Sequence, residues 1–578
     1  MDLFRKSVKF GGESGQGINS LGEIFARSLK NSGYKIFGYR EYPSLIRGGY
    51  ACYQIDIGDF EINSSSQYCD VLVCSSRRSI YQYLYSIRRN GVLIHTITAV
   101  AFKAPEQQFL KDNNIHVHYV DALSLAKEQG GNTLTSNMII LGALTEMLGI
   151  DMNVVKNVVR EEFKSKPQIV EIDIKCLEAG YELDLTLSKL QFQTFPQWAA
   201  SKIITGNHSL ALGAISAGVR AYYSYPMTPA SSILTYLAET SHETGMLVKQ
   251  AEDEITAAQM ALGSMHMGTR ALTGTSGGGF DLMTETVSLS GIIETPFVCI
   301  LAQRPGPATG LPTWTSAGDL NLALYAGHGE YPRMVIAASD FNSAYSLIQS
   351  AFNYAEIFQI PVIVLTEKQI AEGLYNVLTP PTALPIERGL THEETPVKDG
   401  LKRYTFTPDG ISPRWIPGND LPPYNANGDE HDEIGDVNEE AQNAKLIFEK
   451  RMKKLIKIEN ILPEPLVYGE PEADITFVGW GSVKSTILDC INILKGNNTK
   501  IRINYVHFEY LYPLKTELLL KTLQNSKRAV LIENNFTGQL GELIASKTGH
   551  KFTEKLLKYD GRPFFIEDVL NFILEKNP

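Results

Sequence analysis

Cysteine is scarce in this chain of 578 residues: it has six, and no two of them form a C-x-x-C pair. Structural zinc sites and iron–sulfur clusters need several thiolates close together, so the sequence predicts no metal site in this chain. Widely spaced cysteines are typical of a reducing compartment. The opening stretch MDLFRKSVKFGG has no signal-peptide apolar core, so we expect a cytoplasmic protein.

Basic charge and long apolar runs are also lacking. The formal net charge is -11, from 53 Lys and Arg against 64 Asp and Glu. Because no basic surplus is left to neutralise phosphates, nucleic acid is excluded as a main partner. We find no apolar run long enough to span a bilayer, so the sequence predicts no membrane partner either.

The remaining composition is that of an ordinary globular protein, with 43% hydrophobic and 20% charged residues. The chain is too long to form a single hydrophobic core, so we expect several domains. Strand-like apolar runs alternate with amphipathic helical runs, which predicts an α/β fold of several doubly wound domains. The predicted domains are residues 1–190, 191–375 and 466–578. Residues 376–465 are polar, rich in proline and without period, and we interpret them as an insert or linker.

The insert (residues 376–465) holds two features that the sequence predicts to be solvated. His431 stands among acidic residues, but no second histidine lies at ligand spacing, which favours a loop over a metal site. The basic helix NAKLIFEKRMKKLIKIEN is expected to present a solvated face.

The chain is organised around residues 220–303, where strands, polar turns and helices alternate. Turns after the strands of an open parallel sheet share one edge, and ligands bind there. Four polar residues follow predicted strands in or beside this stretch: Thr228, Glu254, Thr275 and Arg304. We therefore expect an alcohol, a carboxylate, a glycine-rich backbone and a guanidinium in one crevice, which is an active-site candidate.

Simpler interpretations exist for several of these features. Thr228 and Pro229 suit the start of a helix, with Thr as the N-cap and Pro at the first helical position. Glu254 alone could be a carboxylate that the helix dipole favours. The glycines at residues 11–17 follow GGxxGxG rather than the dinucleotide pattern. A tight turn, or phosphate or partner binding at the following helix, would account for them.

The motifs YPMTPAS, AEDE, TGTSGGG and QRPGPATGLPT, followed by GDL and HGE, come in this order. The set resembles the α subunit of 2-oxoacid:ferredoxin oxidoreductases, which are thiamine-diphosphate enzymes. This likeness makes residues 191–375 a pyrimidine-binding-type domain.

Motifs on either side extend the resemblance to nearly the whole chain. GESGQG with IRGG resembles the γ subunit of the same enzymes, fused in front. GWGS, LYP and IENNFTGQL resemble their transketolase C-terminal-like domain. EHDEIG with KRYTFTPDGISPR resembles the insert of the fused γ–α subunits of 2-oxoglutarate type. Met227, Gly278 and Ala308 depart from the usual Ile, Pro and Ser, so loop stiffness and substrate preference are expected to differ.

The resemblance implies a cofactor site shared between two subunits. The aminopyrimidine half of thiamine diphosphate rests on the α-type domain, and the diphosphate with its Mg²⁺ rests on a β subunit bearing a GDG…N motif. This chain has no GDG and no cysteine set for a [4Fe–4S] cluster. We therefore expect activity only with a β subunit that carries both, with electrons passing to ferredoxin and the acyl group to coenzyme A.

The resemblance also implies roles for individual residues. Glu254 is expected against N1′ of the pyrimidine, with Glu252 as second choice. The guanidinium of Arg304 and the hydroxyl of Thr228 are expected to hold the substrate. These three residues, Glu254, Arg304 and Thr228, form the predicted catalytic set. Further contacts are expected with the cofactor from Pro226, Thr275, Ser276 and Gly277, and with the substrate from Thr309 and Thr313.

The substrate implied is 2-oxoglutarate or pyruvate, and the insert favours 2-oxoglutarate. Two other classes of function stay open. A nicotinamide-dependent dehydrogenase would depend only on the glycine-rich turn at residues 11–17. A non-catalytic assembly subunit would carry the crevice without using it.

Overall fold

The structure, a computed structural model, describes residues 5–42, 49–185, 194–390, 401–418, 421, 423–497 and 499–575. Arg47 and Gly48 of the IRGG motif lie outside these residues, as do parts of the predicted linker and insert. No helix within these ranges is both long enough and apolar enough to cross a membrane.

The first part of the chain forms most of an eight-stranded mixed sheet. Its central strand pairs in parallel on one side and antiparallel on the other. The elements are β1 (Arg5–Glu13), α1 (Ile18–Asn31), β2 (Lys35–Glu41), β3 (Tyr50–Gly58), β4 (Cys69–Cys74), α2 (Arg77–Tyr83), a 3-10 helix (Leu84–Ser86), β5 (Ile87–His95), α3 (Ala104–Asp112), β6 (His116–Tyr119), α4 (Ala122–Glu128), α5 (Ser136–Leu148), α6 (Met152–Glu162) and α7 (Pro167–Tyr181).

The second part forms a seven-stranded sheet that is parallel except at one edge. Its middle strands are buried along their whole length, as continuous apolar runs in a parallel sheet should be. The elements are α8 (Pro196–Ala199), β7 (Lys202–Thr205), α9 (Gly206–Ser216), β8 (Ala221–Ser224), α10 (Ser231–Glu239), α11 (Ser241–Thr244), β9 (Leu247–Gln250), α12 (Glu254–His266), β10 (Ala271–Thr275), α13 (Gly277–Ile292), β11 (Phe297–Gln303), α14 (Leu320–Tyr325), β12 (Met334–Ala337), α15 (Phe341–Phe358), β13 (Pro361–Glu367), α16 (Lys368–Glu372) and β14 (Leu374–Val377).

The last part forms a five-stranded sheet, parallel apart from its first strand. The elements, with the long helix that leads into them, are α17 (Ala441–Ile461), β15 (Leu466–Gly469), β16 (Ala473–Trp480), α18 (Val483–Gly496), β17 (Ile503–Phe508), β18 (Tyr510–Tyr512), α19 (Glu517–Gln524), β19 (Ser526–Glu533), α20 (Gln539–Thr548), β20 (Glu554–Leu557) and α21 (Ile566–Glu575).

The three sheets confirm the predicted α/β fold class. Their strand orders are β6-β5-β4-β1-β3-β2-β14-β7, then β18-β12-β13-β11-β10-β8-β9, then β15-β17-β16-β19-β20. The strands β7 and β14, which lie beyond residue 190, complete the first sheet. The strand β18 from the last part pairs with β12 of the second sheet. Strands from one segment thus complete the sheet of another, which joins the segments through backbone hydrogen bonds.

Of the two solvated features expected in the insert, the exposure of His431 is wrong and that of the basic helix is only partly right, because Lys445, Lys453 and Lys457 are exposed while other basic residues of the helix are buried. His431 is buried, and its ring lies 4.3 Å from the ring of Tyr404, centroid to centroid. On α17, Lys450 and Lys454 are buried with their ammonium groups 2.6 Å from Glu294 carboxylate oxygens. These lysines lie one helical turn apart on the face of α17 that packs inward, so that face holds paired charges rather than solvent.

Candidate active site

Glu254 is a buried carboxylate at the first position of α12. The helix is capped by its neighbour Asp253, whose side chain accepts from the backbone N–H of Thr256 at 2.7 Å. Glu254 is therefore not needed as the cap and turns inward, where it is 4% exposed. Its Oε1 atom has no hydrogen-bond partner among the residues that the structure describes. An unpaired buried carboxylate oxygen is costly, so its position indicates a ligand.

The glycine-rich turn between β10 and α13 forms the wall beside Glu254. A Cβ atom on Gly279 would lie 2.0 Å from Thr275 Oγ1 and 2.6 Å from Glu254 Oε1, so only glycine fits there. Ser276 is the N-cap residue of α13, yet its hydroxyl makes no capping hydrogen bond. The hydroxyls of Thr275 and Ser276 are both buried without a partner in the described part of the chain. Three unpaired polar groups thus converge on a wall of bare backbone.

Arg304 follows the end of β11 and is linked to the turn after β8. Its Nη1 atom donates to the carbonyl oxygen of Thr228 at 2.8 Å. Burial lowers the pKa of Arg304, and the nearby Asp319 carboxylate acts in the opposite direction. One nitrogen of the guanidinium fork is occupied by Thr228, and the others are available for an anionic ligand.

The predicted helix start at Thr228 is wrong. The helix α10 begins at Ser231 with Ala230 as its N-cap residue. Residues 228–230 form a turn before the helix, and the carbonyl of Thr228 is held by Arg304 instead of by a helical partner. Thr228 is half-buried, and Pro226 beside it is exposed.

The loop after Arg304 places its two predicted substrate donors in different surroundings. Thr309 is exposed at the tip of the loop. Thr313 is buried, and its hydroxyl donates to the carbonyl oxygen of Tyr42 in the first part of the chain. The hydroxyl of Thr313 thus anchors the loop in this structure, whereas the side chain of Thr309 is exposed.

Asp319 also lies in the crevice, although the sequence did not predict it there. Its Oδ2 atom lies 2.7 Å from where a Cβ on Gly277 would be, and it has no hydrogen-bond partner among the described residues. Burial raises the pKa of Asp319 to about 6, the nearby Asp281 adds to the rise, and Arg304 opposes it. The available signal was the GDL motif, an acid inside the Gly- and Pro-rich loop that follows Arg304.

The end of this loop is held by the last part of the chain. Asn535 and Gln539 donate to the carbonyl oxygens of Ala317 and Gly318, at 3.0 and 2.8 Å. The side-chain oxygen of Gln303 accepts from the backbone N–H of Asp319 at 2.9 Å. The motif IENNFTGQL, which carries no catalytic constellation of its own, thus positions the segment that bears Asp319.

A separate cavity of about 440 Å³ opens at the glycine-rich turn of the first part. Gly15, Gly17, Arg40 and Tyr42 are among the residues that line it. The hydroxyl of Tyr42 donates to Glu372 at 2.5 Å, and its carbonyl accepts from Thr313. This cavity is therefore connected through Tyr42 to the loop that follows Arg304.

Comparisons with known proteins agree over nearly the full length. Residues 212–453 match the family model described as "Pyruvate flavodoxin/ferredoxin oxidoreductase, thiamine diP-bdg", and residues 7–183 match "Pyruvate ferredoxin/flavodoxin oxidoreductase". The 2-oxoacid:ferredoxin oxidoreductase subunit alpha of Saccharolobus solfataricus is 31% identical, covering 98% of this chain and 96% of that protein. The 2-oxoglutarate oxidoreductase subunit KorA of Mycobacterium tuberculosis is 28% identical over 98% of this chain and 90% of that protein.

A solved structure gives the same result. The 2-oxoglutarate:ferredoxin oxidoreductase from Magnetococcus marinus, with 2-oxoglutarate, coenzyme A and succinyl-CoA bound, is 29% identical to this chain. It superimposes with a TM-score of 0.90 over 99% of both chains. The family predicted from the motifs is therefore confirmed, and the chain belongs to the α subunits of the 2-oxoacid:ferredoxin oxidoreductases, with their thiamine-diphosphate-binding domain.

Proposed function

We propose that this chain supplies the aminopyrimidine half of a thiamine-diphosphate site and the cation that binds the substrate carboxylate. The reaction is the oxidative decarboxylation of a 2-oxoacid to acyl-CoA and CO₂, with electrons leaving for ferredoxin through a partner subunit. The observation that carries the proposal is the buried Oε1 atom of Glu254, which lies against the bare backbone at Gly279 and has no partner among the described residues.

The residues of the crevice fit the cofactor. Among the described residues, its polar atoms without partners include those of Glu254, Thr275 and Ser276, and the backbone of Gly277 to Gly279 lets a planar ring approach closely. When bound, thiamine diphosphate supplies the electron sink that decarboxylation of a 2-oxoacid requires. Glu254 holds a proton at N1′ of the aminopyrimidine, and the dry surroundings strengthen that charge-assisted hydrogen bond. Pro226 borders the crevice at its exposed side.

Arg304 and Thr228 orient the substrate. The guanidinium fork of Arg304 suits the C1 carboxylate, because two parallel N–H groups can donate to its two oxygens. The carbonyl of Thr228 holds one nitrogen of Arg304 in place, which leaves the Thr228 hydroxyl for the keto oxygen. Thr309 is the loop donor with an exposed hydroxyl, and Thr313 contributes by anchoring the loop.

We place the diphosphate-binding half, its Mg²⁺ and the [4Fe–4S] cluster on a β subunit. No group of three or more His, Cys, Asp and Glu side chains within the described ranges could hold a metal ion. Ile255 on α12 and Leu282 on α13 are 48% and 50% exposed beside the crevice. Large apolar side chains on both helices that flank a site support a partner surface there. The exposed side of the crevice is where that subunit completes the cofactor site.

The substrate that we propose to test first is 2-oxoglutarate, followed by pyruvate. The Mycobacterium tuberculosis relative is named for 2-oxoglutarate, and the Magnetococcus marinus structure contains it together with coenzyme A. In this chain the cavity at the glycine-rich turn is a candidate for coenzyme A, because Arg40 and the start of α1 suit a phosphate. The linkage through Tyr42 and Thr313 would connect that cavity to the substrate loop.

The test compares Glu254→Gln with Glu252→Gln in the complex purified with its partner under anoxic conditions. Glu252 is the matched control, because it is exposed and its carboxylate accepts from the Thr256 hydroxyl at 3.1 Å. We expect Glu254→Gln to lower CoA-dependent viologen reduction by about 10²–10⁴-fold, the range of general acid–base catalysis. We also expect it to change the circular dichroism of bound thiamine diphosphate, while Glu252→Gln changes neither.

The competing classes predict other results. Loss of activity in Glu252→Gln but not in Glu254→Gln would transfer the role to Glu252. Full activity in both variants would favour a non-catalytic assembly subunit. A nicotinamide-dependent dehydrogenase, which the family membership argues against, would bind a nicotinamide nucleotide and no thiamine diphosphate.

A further inference from the structure

We propose that Asp319 is a positioning residue that takes up one proton when a 2-oxoacid carboxylate binds to Arg304, so that substrate binding depends on pH. The proposal depends on the proposed function, because it takes the ligand of Arg304 to be the C1 carboxylate of the substrate.

The Asp319 carboxyl lies on the wall of the crevice. Its Oδ2 atom lies against the first residue of α13, 2.7 Å from the Cβ position of Gly277, and has no hydrogen-bond partner among the described residues. The backbone N–H of Asp319 donates to Gln303, which is 1% exposed. A carboxyl oxygen that is buried here and left without a donor is not explained by folding alone.

Two charged side chains in the described part of the chain act on the pKa of this carboxyl. Asp281 on α13 and Arg304 at the end of β11 have opposite effects, and Glu254 lies farther along the same wall, next to Gly279. The side chains that hold the segment from the last part of the chain, Asn535 and Gln539, are uncharged amides. Arg304 is therefore the one cation that favours the ionised form of Asp319.

Binding of an anion to Arg304 changes this balance. Burial already raises the pKa of Asp319 to about 6, with Arg304 opposing the rise. A carboxylate that pairs with Arg304 cancels the opposing field and brings a second negative charge close to Asp319. The pKa of Asp319 then rises further, and a proton passes from solvent to its carboxyl. No bond to carbon forms or breaks, and no electron moves.

The sign of the pH dependence follows from linkage. Since the bound state holds one more proton than the free state, affinity falls as pH rises above the pKa of free Asp319. The dissociation constant should therefore be nearly constant below about pH 6 and rise by up to about tenfold per pH unit above it. A neutral ligand of the same shape should show no such rise.

The experiment measures the dissociation constant of oxamate and of N-oxalylglycine, isosteres of pyruvate and 2-oxoglutarate that resist decarboxylation. Calorimetry on the purified complex from pH 5.5 to 8, in buffers of different ionisation enthalpy, gives both the affinity and the number of protons taken up. The variants are Asp319→Asn and Asp281→Asn. In Asp319→Asn we expect no proton uptake and an affinity that no longer depends on pH.

The Asp281 variant is the matched control, because it removes a neighbouring negative charge and leaves the titrating carboxyl. We expect it to keep the proton uptake and to move the pH dependence to lower pH. Proton uptake by Asp319→Asn equal to that of the unaltered complex would overturn the inference, as would an affinity of the unaltered complex that is constant across the range. Failure of the unaltered complex to bind either probe at any pH would contradict the proposed function itself, and this inference with it.

Discussion

Two buried glutamates, Glu254 and Glu294, differ in what surrounds them. Glu294 is fully buried and has the ammonium groups of Lys450 and Lys454 each 2.6 Å from its oxygens. Glu254 is 4% exposed, and its Oε1 atom has no partner among the described residues. The first carboxylate is neutralised within the chain, and the second is left for something outside it.

This difference separates charges that hold the fold from charges that serve the site. Burial alone would raise the pKa of Glu294, but Lys450, Lys454 and Arg403 hold it well below its ordinary range. In such a cluster of buried charges each charge is balanced by the others. Removing one of them leaves the remaining charges buried without an opposite charge. The free-energy cost of removing an unpaired carboxylate from water has already been met when the protein folds. A ligand that hydrogen-bonds to this carboxylate therefore adds the whole energy of that hydrogen bond to its binding.

The largest effect on stability is expected at the paired glutamate. Glu294→Gln should lower the free energy of unfolding by about 3–5 kcal/mol, because it leaves two buried ammonium groups without their carboxylate. The unaltered protein should keep this contribution from the ordinary glutamate pKa up to about pH 7, because burial lowers the pKa of Lys454 to about 7, and it should lose the contribution as pH falls through the depressed folded value of Glu294. Denaturant unfolding at several pH values measures both, and a change below 1 kcal/mol would remove the contrast with Glu254.

The next effect is expected on substrate affinity. Arg304→Ala should raise the KM for the 2-oxoacid by about 10–100-fold, which corresponds to the loss of hydrogen bonds to a charged group. The free energy of unfolding should change little, since the one bond that Arg304 makes to Thr228 lies in a partly exposed turn. Steady-state kinetics would measure the change in KM, and thermal unfolding of the same preparations would measure the change in stability. An unchanged KM would show that the carboxylate binds elsewhere.

Substitutions at two adjacent glycines test the packing at the wall of the crevice beside Glu254. Gly279→Ala places a methyl group 2.0 Å from Thr275 Oγ1 and 2.6 Å from Glu254 Oε1. Overpacking of this kind costs about 1–3 kcal/mol and displaces the carboxylate, so affinity for thiamine diphosphate should fall. Gly278→Ala is the control, because its nearest neighbour, the Ala308 carbonyl oxygen, lies 4.0 Å away. Equal unfolding free energies for the two apo variants would contradict this packing.

The smallest effect is expected from the segment that supports the site. Gln539→Leu removes the donor to the Gly318 carbonyl and the acceptor for the Asn321 N–H. Each bond contributes about 1 kcal/mol, so we expect a modest loss of stability and a several-fold rise in KM. Kinetics and unfolding measured together separate the two effects. A loss of stability with unchanged KM would mean that the loop keeps its position without this contact.

How much of the site could be predicted depends on whether a residue's partners are near in sequence. The approach of Glu254 to Thr275, and the position of Arg304 after the neighbouring parallel strand β11, followed from one rule, that strand ends share an edge. The helix start assigned to Thr228 failed because the carbonyl of that residue binds Arg304, 76 positions later. Asp319 was missed for the same reason, since its setting is created by distant residues such as Gln303 and Gly277.

Prediction of the fold is also limited by contacts between residues far apart in sequence. The fold class and most helices follow from local periodicity, which is a property of each segment alone. The buried face of the basic helix α17 was not predicted because its partner Glu294 lies 156 residues from Lys450. The joining of β7 and β14 to the first sheet is likewise a long-range pairing. Local patterns predict elements, and the burial of a charge is decided by what the fold brings to it.

The most direct measurement is the free energy of unfolding of Glu254→Gln in the complex, with and without thiamine diphosphate. If Glu254 is held unpaired for the cofactor, the apo variant should be at least as stable as the unaltered protein, because a neutral amide is easier to bury. The stabilisation that thiamine diphosphate adds should then be largely lost. A loss of about 3–5 kcal/mol in the apo state, with full stabilisation by the cofactor, would make Glu254 a structural charge like Glu294 and contradict the account.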